Sequence, residues 1–137
     1  MAYGGGQELE RLEVALEAAG VAWWQMELPS GVIFYSPNKA AMLDRRDEQF
    51  LHYQDFVKLV HPDDQDRIMQ DMRNHLEGKA DLYETAYRIK KKDGTYARFY
   101  DRGRIVARQG DEVTVSGIVL DIPSFDSMKK HRKHIKD

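Results

Sequence analysis

The clearest pattern in the chain is an alternation of apolar and charged positions that begins near residue 83. Tyr83 and Tyr87 stand on one face of this run and charged side chains on the other, as in a strand with one buried face. The alternation stops at Asp93-Gly94, a dipeptide that favours the tight turns joining antiparallel strands. This stretch therefore predicts a β-hairpin whose first strand is half-buried.

The next two runs continue the same sheet. In the first of them Phe99 and Gly103 share one face, while Arg98 and Arg102 share the other. After a polar turn, residues 113–122 are apolar on both faces at nearly every position, and a strand of that kind lies in the middle of a sheet. We therefore predict a three-stranded meander whose last strand is central, with an earlier strand paired to its free edge.

The first half of the chain supplies that earlier strand and most of the helices. Residues 21–28 and 32–35 are separated by a Pro-Ser-Gly turn and are predicted to form a hairpin. Apolar residues at helical spacing predict helices at 7–19, 37–43, 54–60, 62–76 and 124–137. This order of elements predicts an α+β fold, in which a five-stranded antiparallel sheet has helices packed on one face and flanking helices at both ends.

Four strings of the sequence, in this order and spacing, resemble those of a PAS domain of a bacterial or archaeal signalling protein. They are Trp24-Gln25-Met26-Glu27-Leu28, His61-Pro62-Asp63-Asp64, the string 87–96 around Lys92-Asp93-Gly94-Thr95, and the closing strand 117–122. The second string and the closing strand are similar to the subfamily with a His-Pro-Asp-Asp helix start and a C-terminal PAC motif.

This resemblance covers residues 9–123 and implies the sheet order 2-1-5-4-3. It divides the chain into a flexible start with a flanking helix at 1–20, a PAS sensory domain at 21–123 and a linker or signalling helix at 124–137. Arg98 and Pro123 depart from the usual family residues, which leaves the coupling to the last helix open.

The resemblance implies a sensory and dimerisation module in a larger cytoplasmic protein, with a covalently attached output domain of the sensor histidine kinase or diguanylate cyclase type. The two ends of the chain support this independently, because apolar residues recur there at the spacing of a short coiled coil. We expect a homodimer whose signalling helices pair through Leu9, Leu12, Leu16, Phe125, Met128 and Ile135. The alternative is that these helices only cover the outer face of the sheet.

The space between the sheet and the helices is the candidate ligand site, because aromatic residues and adaptable methionines converge on it. The candidate pocket residues are Trp24, Met26, Phe34, Met42, Phe56, Met69, Met72, Tyr87 and Phe99. The same stripe is also typical of an ordinary core, which is the simpler interpretation. Asp101 falls on the inner face too, either as a polar group of the pocket or, as we expect, turned outward by a β-bulge, since a lone buried carboxylate is costly.

No cofactor and no metal are predicted. The sequence has no cysteine, which removes the reactive thiol of flavin photosensors and zinc-thiolate sites. His75 is the one candidate for a haem ligand, but no second axial-ligand pattern accompanies it, and a histidine near a helix end also suits the dipole. Helix capping explains His61, Asp63 and Asp64 more simply than a metal site does.

Motifs and charge argue against catalysis, a membrane segment and nucleic-acid binding by the body of the domain. The chain lacks a phosphate-binding glycine loop and a nucleophile-elbow serine, so any kinase or cyclase activity is assigned to an output domain outside it. No apolar run approaches the roughly 20 residues that cross a bilayer. The start does not resemble a signal peptide, and the net charge is −2.

Two other functions stay open from the sequence. The basic stretch 129–134 could contact nucleic acid or anionic lipid through phosphate groups, although a solvated helix face explains it more simply. The chain could also be a stand-alone ligand-binding domain, which a monomer with a retained small molecule would indicate.

Overall fold

The computed structural model describes residues 3–122, with side chains from residue 6 onward. The helices in this part of the chain are α1 (Tyr3–Ala18), α2 (Pro37–Ala41), α3 (Tyr53–Val57) and α4 (Pro62–Leu76). The strands are β1 (Val21–Leu28), β2 (Ile33–Tyr35), β3 (Tyr83–Lys90), β4 (Tyr96–Gln109) and β5 (Glu112–Asp121). The predicted helix at 124–137, with Phe125, Met128 and Ile135, lies outside the described residues, as does Pro123.

The five strands form one antiparallel sheet in the order β2-β1-β5-β4-β3, which confirms the predicted fold. β5 pairs with β1 on one side and with β4 on the other, so the strand predicted to be central is central. Val115 and Val119 face the core and are fully buried, while Ile118 and Leu120 on the other face are half-buried. The apolar character of both faces of β5 follows from this position.

One face of the sheet carries the core together with α2, α3 and α4. Ala22, Trp24 and Met26 alternate inward along β1 and are buried, and α3 and α4 meet them with Phe56 and Ile68. This period of two on the strand and the helical period of α4 are the patterns that predicted both elements. The packing leaves a cavity between the two layers.

Helix α1 lies beside the outer face of β1, next to the start of α2. Its Leu16 lines a shallow depression together with Val21 and Trp23, and Trp23 points to the face of β1 opposite to Trp24. Leu16 is half-buried, whereas Leu9 and Leu12 are 61% and 56% exposed. The helix therefore covers a small part of the outer face of the sheet and keeps most of its apolar seam uncovered in this chain.

The His-Pro-Asp-Asp string joins the start of α4 to β3. The His61 side chain caps the helix, since its Nδ1 accepts a hydrogen bond from the backbone N–H of Asp63 at 3.1 Å. Asp64 instead accepts from the Arg88 side chain at both of its oxygens and from the Arg88 backbone N–H, all at 2.9 Å. The string thus caps a helix and also holds that helix against the edge strand of the sheet.

Candidate ligand cavity

A cavity of about 220 Å³ lies between the inner face of the sheet and the helices α2, α3 and α4. Its wall is mainly apolar, with a few polar side chains at defined points. Six of the nine predicted pocket residues line it, namely Trp24, Met26, Phe56, Met69, Met72 and Tyr87. The apolar wall of the site was therefore largely predictable from strand and helix periodicity.

Phe34 does not face the cavity. It is 52% exposed, because it pairs with Gln25, whose side chain points away from the helices. The inward position of β2 is taken by Ile33, the residue that pairs with Met26 and lines the cavity. The prediction that Phe34 lies between the sheet and the helices is wrong. A difference of one residue in the pairing of β2 with β1 puts its side chain on the opposite face of the sheet.

Phe99 and Met42 belong to the core without lining the cavity. Phe99 is fully buried, and its ring packs edge-on against that of Tyr87, with 6.1 Å between the ring centroids. Met42 is partly buried and packs against the core just after the end of α2. Both residues are therefore part of the core, and neither is among the side chains that line the cavity.

The Trp24 wall of the cavity depends on two glycines that face each other across β4 and β5. Gly103 and Gly117 are paired. A Cβ added at Gly103 would lie 2.9 Å from the indole ring, and one added at Gly117 would lie 2.6 Å from it. The bare backbone thus provides the space for the ring. The indole N–H donates to the Ile118 carbonyl at 3.2 Å, which fixes its orientation.

Asp101 is the acidic group of the cavity. It is 7% exposed, and the Tyr87 hydroxyl donates to its carboxylate, 3.0 Å from each oxygen. Burial raises the pKa of Asp101 to about 6, although the Lys39 charge and the Tyr87 hydrogen bond oppose the shift. The predicted bulge at Asp101 is wrong, because the register shift of β4 falls later, between Ile105 and Ala107.

Lys39 of α2 is the buried basic group of the cavity, since it is only 4% exposed, whereas Arg73 lines the cavity from an exposed position of α4. Its ammonium nitrogen stands 3.7 Å from the centroid of the Phe56 ring, a cation–π distance. Burial lowers the pKa of Lys39 to about 8, and the charge of Asp101 opposes this shift. Within residues 3–122 the Lys39 side chain makes no hydrogen bond, so its donors meet the cavity without a protein acceptor.

The sequence analysis did not identify Lys39 as a site residue. Lysine is almost never fully buried, so a lysine in a short helix is ordinarily assigned to its solvent face. A signal was nevertheless present, because Lys39 precedes Leu43 by four positions and residues so spaced lie on the same side of a helix. Leu43 is fully buried, and Lys39 faces inward with it.

His75 has a structural role at the end of α4. Its Nε2 accepts a hydrogen bond from the backbone N–H of Ile105 at 3.0 Å, and its Nδ1 lies 2.9 Å from the Ala80 carbonyl oxygen. Because Nε2 accepts a hydrogen bond, Nδ1 is the protonated ring nitrogen and donates a hydrogen bond to the Ala80 carbonyl oxygen. Both ring nitrogens are therefore engaged by backbone groups. In the part of the chain that the structure describes, no three metal-ligating side chains are grouped as a metal site requires.

The chain is similar to a known protein family over most of its length. A family model described as "PAS fold" matches residues 32–119, well over half of the chain. The search of curated proteins found no match. No helix among the described residues has the length and apolar content to cross a membrane.

Solved structures share the fold at low sequence identity. A sensory box histidine kinase/response regulator from Burkholderia thailandensis is 20% identical, with a TM-score of 0.67 over 92% of this chain and 98% of that one. The N-terminal domain of a diguanylate cyclase with PAS/PAC sensor from Marinobacter aquaeolei is 22% identical, with a TM-score of 0.67 over 78% and 98%. A PAS domain from Colwellia psychrerythraea is 19% identical, with a TM-score of 0.61 over 82% and 95%.

Proposed function

This chain belongs to the PAS fold family, and on that premise we propose that it is the sensory module of a larger cytoplasmic signal-transduction protein. Its proposed task is to bind a small molecule in the cavity and to relay the change through its flanking helices. The attached output domain is of the sensor histidine kinase or diguanylate cyclase type, as in proteins whose PAS domains share this fold. Catalysis belongs to that output domain.

The observation that carries the ligand-binding proposal is the buried Lys39 at the wall of the cavity. A buried ammonium group is costly unless other groups compensate its charge. The Phe56 ring and the charge of Asp101 compensate it in part, but within residues 3–122 no protein group accepts a hydrogen bond from it. An ordinary core would place an apolar residue at this point of the wall. A mainly apolar cavity with a few convergent polar groups is the usual form of a small-molecule site.

The strand pairing supports a route for the relay. β1 follows α1 after two residues, and β5 ends just before the C-terminal segment. Val21 at the start of β1 pairs with Leu120 near the end of β5, so the chain enters β1 and leaves β5 at neighbouring points of the sheet. Both strands also carry the Trp24 wall of the cavity, and a ligand that moves this wall would act on both exits together.

The uncovered seam of α1 supports the proposal of a homodimer. Leu9 and Leu12 are largely exposed, although an isolated helix of this length gains most of its stability from packing. A second copy of α1 would bury these side chains. A movement of the sheet that a ligand causes would then alter how the two copies of α1 pair. In this proposal the dimer is the element that the ligand biases.

A pair of matched substitutions tests the dimer. Leu12→Asp places a charge on the proposed seam, whereas Val14→Asp places the same charge about half a helical turn away, at a residue that is 65% exposed. We expect Leu12→Asp to convert the dimer to a monomer in light scattering, while Val14→Asp leaves it dimeric. Equal masses for the wild type and both variants would contradict the proposal.

Native mass spectrometry of the full chain tests the ligand. We expect a mass increment that corresponds to a single small organic molecule per chain and that disappears on denaturation. If the protein is saturated with small molecules of all charge classes and neither a mass increment nor a thermal shift follows, the cavity is ordinary core space and the sensory proposal fails at this site.

A further inference from the structure

We propose that the cavity selects a small monocarboxylic acid, with an apolar body about the size of one aromatic ring and its carboxylate on the Nζ of Lys39. This inference rests on the proposed sensory function, because it names the chemical class of ligand for the same cavity. It follows from three features of the cavity: the unmatched donor, the neighbouring acid and the volume.

The unmatched donor is the ammonium group of Lys39. It is 4% exposed and stands over the Phe56 ring, and within residues 3–122 no oxygen accepts its hydrogen bonds. A carboxylate in the cavity would supply both the missing acceptors and the opposite charge. Any acceptor here gains from the charged donor, but only a carboxylate adds the attraction of an opposite charge, so an acid gains more than an amide or an alcohol of the same shape.

The neighbouring acid, Asp101, does not supply that partner. No ion pair joins it to Lys39 in the described part of the chain, and the Tyr87 hydroxyl already donates to both of its oxygens. A cationic ligand would be repelled by the ammonium group of Lys39 and would leave that group without a hydrogen-bond acceptor. The charge pattern therefore favours an anion over an amine.

Binding of an anion would be coupled to protons. The other titratable groups that line the cavity are Lys39 from α2, Tyr83 and Tyr87 from β3, next to the strand of Asp101, and Arg73 at an exposed position of α4. A bound carboxylate favours the protonated forms of both Asp101 and Lys39. We therefore expect net proton uptake on binding at pH 7, because Asp101 has a pKa of about 6 and is mainly ionised before the ligand arrives.

The volume limits the apolar body. An engineered apolar cavity of roughly 150 Å³ binds benzene, and the pockets of drug-sized ligands begin at about 300 Å³. At about 220 Å³ this cavity lies between the two. One ring with a carboxyl substituent, or an aliphatic acid of similar bulk, is the ligand that this space accommodates, and Met69 and Met72 can adjust to its outline.

The test is a thermal-shift and calorimetric panel on the full chain with two matched series of probes. The acids are benzoate, phenylacetate, cyclohexanecarboxylate and hexanoate, and the comparison series contains benzamide and benzylamine. We expect at least one acid to raise the unfolding temperature and to bind at least tenfold more tightly than benzamide and benzylamine. Calorimetry in buffers of different ionisation enthalpy should show proton uptake at pH 7.

Two lysine variants complete the test. Lys39→Met keeps the length and bulk of the side chain without its charge, and we expect it to lose at least tenfold affinity for the acid. Lys58→Met removes a charge from the exposed position after α3 and should bind as the wild type does. Circular dichroism checks that both variants are folded.

The outcomes separate this inference from the function on which it rests. If benzamide or benzylamine binds as tightly as the acids, or if Lys39→Met keeps its affinity for the acid, the carboxylate class is overturned while the sensory cavity stands. If neither series binds and native mass spectrometry shows no retained molecule, the ligand-binding function itself is overturned.

Discussion

Two aspartates of this domain are equally hidden from solvent but have opposite ionisation behaviour. Asp64 at the start of α4 and Asp101 on β4 are each 7% exposed. The pKa of Asp64 lies well below its usual range, chiefly because the Arg88 side chain donates to it, whereas burial raises the pKa of Asp101 to about 6. Exposure alone therefore does not determine the state of a buried acid, because Asp64 is bonded to the half-exposed guanidinium of Arg88 whereas Asp101 lies deep inside the cavity.

The partners differ in kind. Asp64 receives two hydrogen bonds from the guanidinium of Arg88 and a third from its backbone N–H, and Arg67 lies 3.7 Å away. Among residues 3–122, the hydroxyl of Tyr87 is the only group that donates a hydrogen bond to Asp101, and it is neutral. The first arrangement holds a permanent charge that fastens a helix to a strand, while the second keeps a group inside the cavity that can change its charge near neutral pH.

The largest effect is expected from Asp64→Asn. This change keeps the shape of the side chain but removes the charge that Arg88 pairs with, and we expect the free energy of unfolding to fall by roughly 2–3 kcal/mol at pH 7, as measured by urea denaturation. Asp63→Asn is the matched control, because the Asp63 side chain is 78% exposed. If both variants lose the same free energy of unfolding, the interaction with the helix dipole, and not the contact with β3, is the source of the stabilisation by Asp64.

Acid should abolish the difference between wild type and Asp64→Asn. The folded pKa of Asp64 lies below its unfolded value of roughly 3.9. Its contribution is therefore complete above that value and is lost as the pH falls through the folded pKa. A gap between the two proteins that stays constant from pH 7 to pH 3 would contradict the assigned ionisation.

Asp101→Asn should behave in the opposite way. The folded pKa of about 6 exceeds the unfolded value of roughly 3.9, so the stabilising contribution of Asp101 is complete below pH 4 and is lost as the pH rises through 6. Asparagine cannot ionise. We expect the unfolding free energy of the variant, relative to wild type, to rise by about 2 kcal/mol between pH 4 and pH 7.

The control for this series is Asp111→Asn, at an exposed position of the turn between β4 and β5. Its difference from wild type should be flat over the same pH range. A flat profile for Asp101→Asn as well would mean that Asp101 has the same pKa in the folded and the unfolded protein, and that burial does not raise it.

The comparison also explains which parts of the molecule could be predicted from the sequence. Strand periodicity acts between near neighbours, so the inner face of β1 and the central place of β5 followed from the residues themselves, and the complete sheet order followed from the resemblance to PAS domains. The apolar wall of the cavity came from the same periodicity. Phe34 was assigned to the wrong face because the register between β1 and β2 places it opposite Gln25, and a difference of one residue reverses the faces of a strand.

The polar contacts could not be predicted in this way, because each joins distant parts of the chain. Asp64 looked like a helix-start residue, and its partner Arg88 lies 24 positions away on β3. Lys39 and Asp101 each seemed unsuitable for the interior when considered alone. Their burial becomes understandable only when the fold places them in one cavity, where each opposes the pKa shift that burial imposes on the other.

The smallest effect is expected from Tyr87→Phe, which removes the hydrogen bond to Asp101 without opening space in the wall. That bond favours the charged carboxylate, so its loss should raise the pKa of Asp101 above 6 and lower the unfolding free energy at pH 7 by about 1 kcal/mol. Carboxyl ¹³C NMR would follow the titration. Tyr83→Phe is the control, since Tyr83 lines the same cavity and the described structure gives its hydroxyl no bond to Asp101. If both variants shift the pKa equally, the hydroxyl of Tyr87 contributes polarity to the cavity in general and no specific bond, and the contrast with the Arg88-bound Asp64 would then come from charge alone.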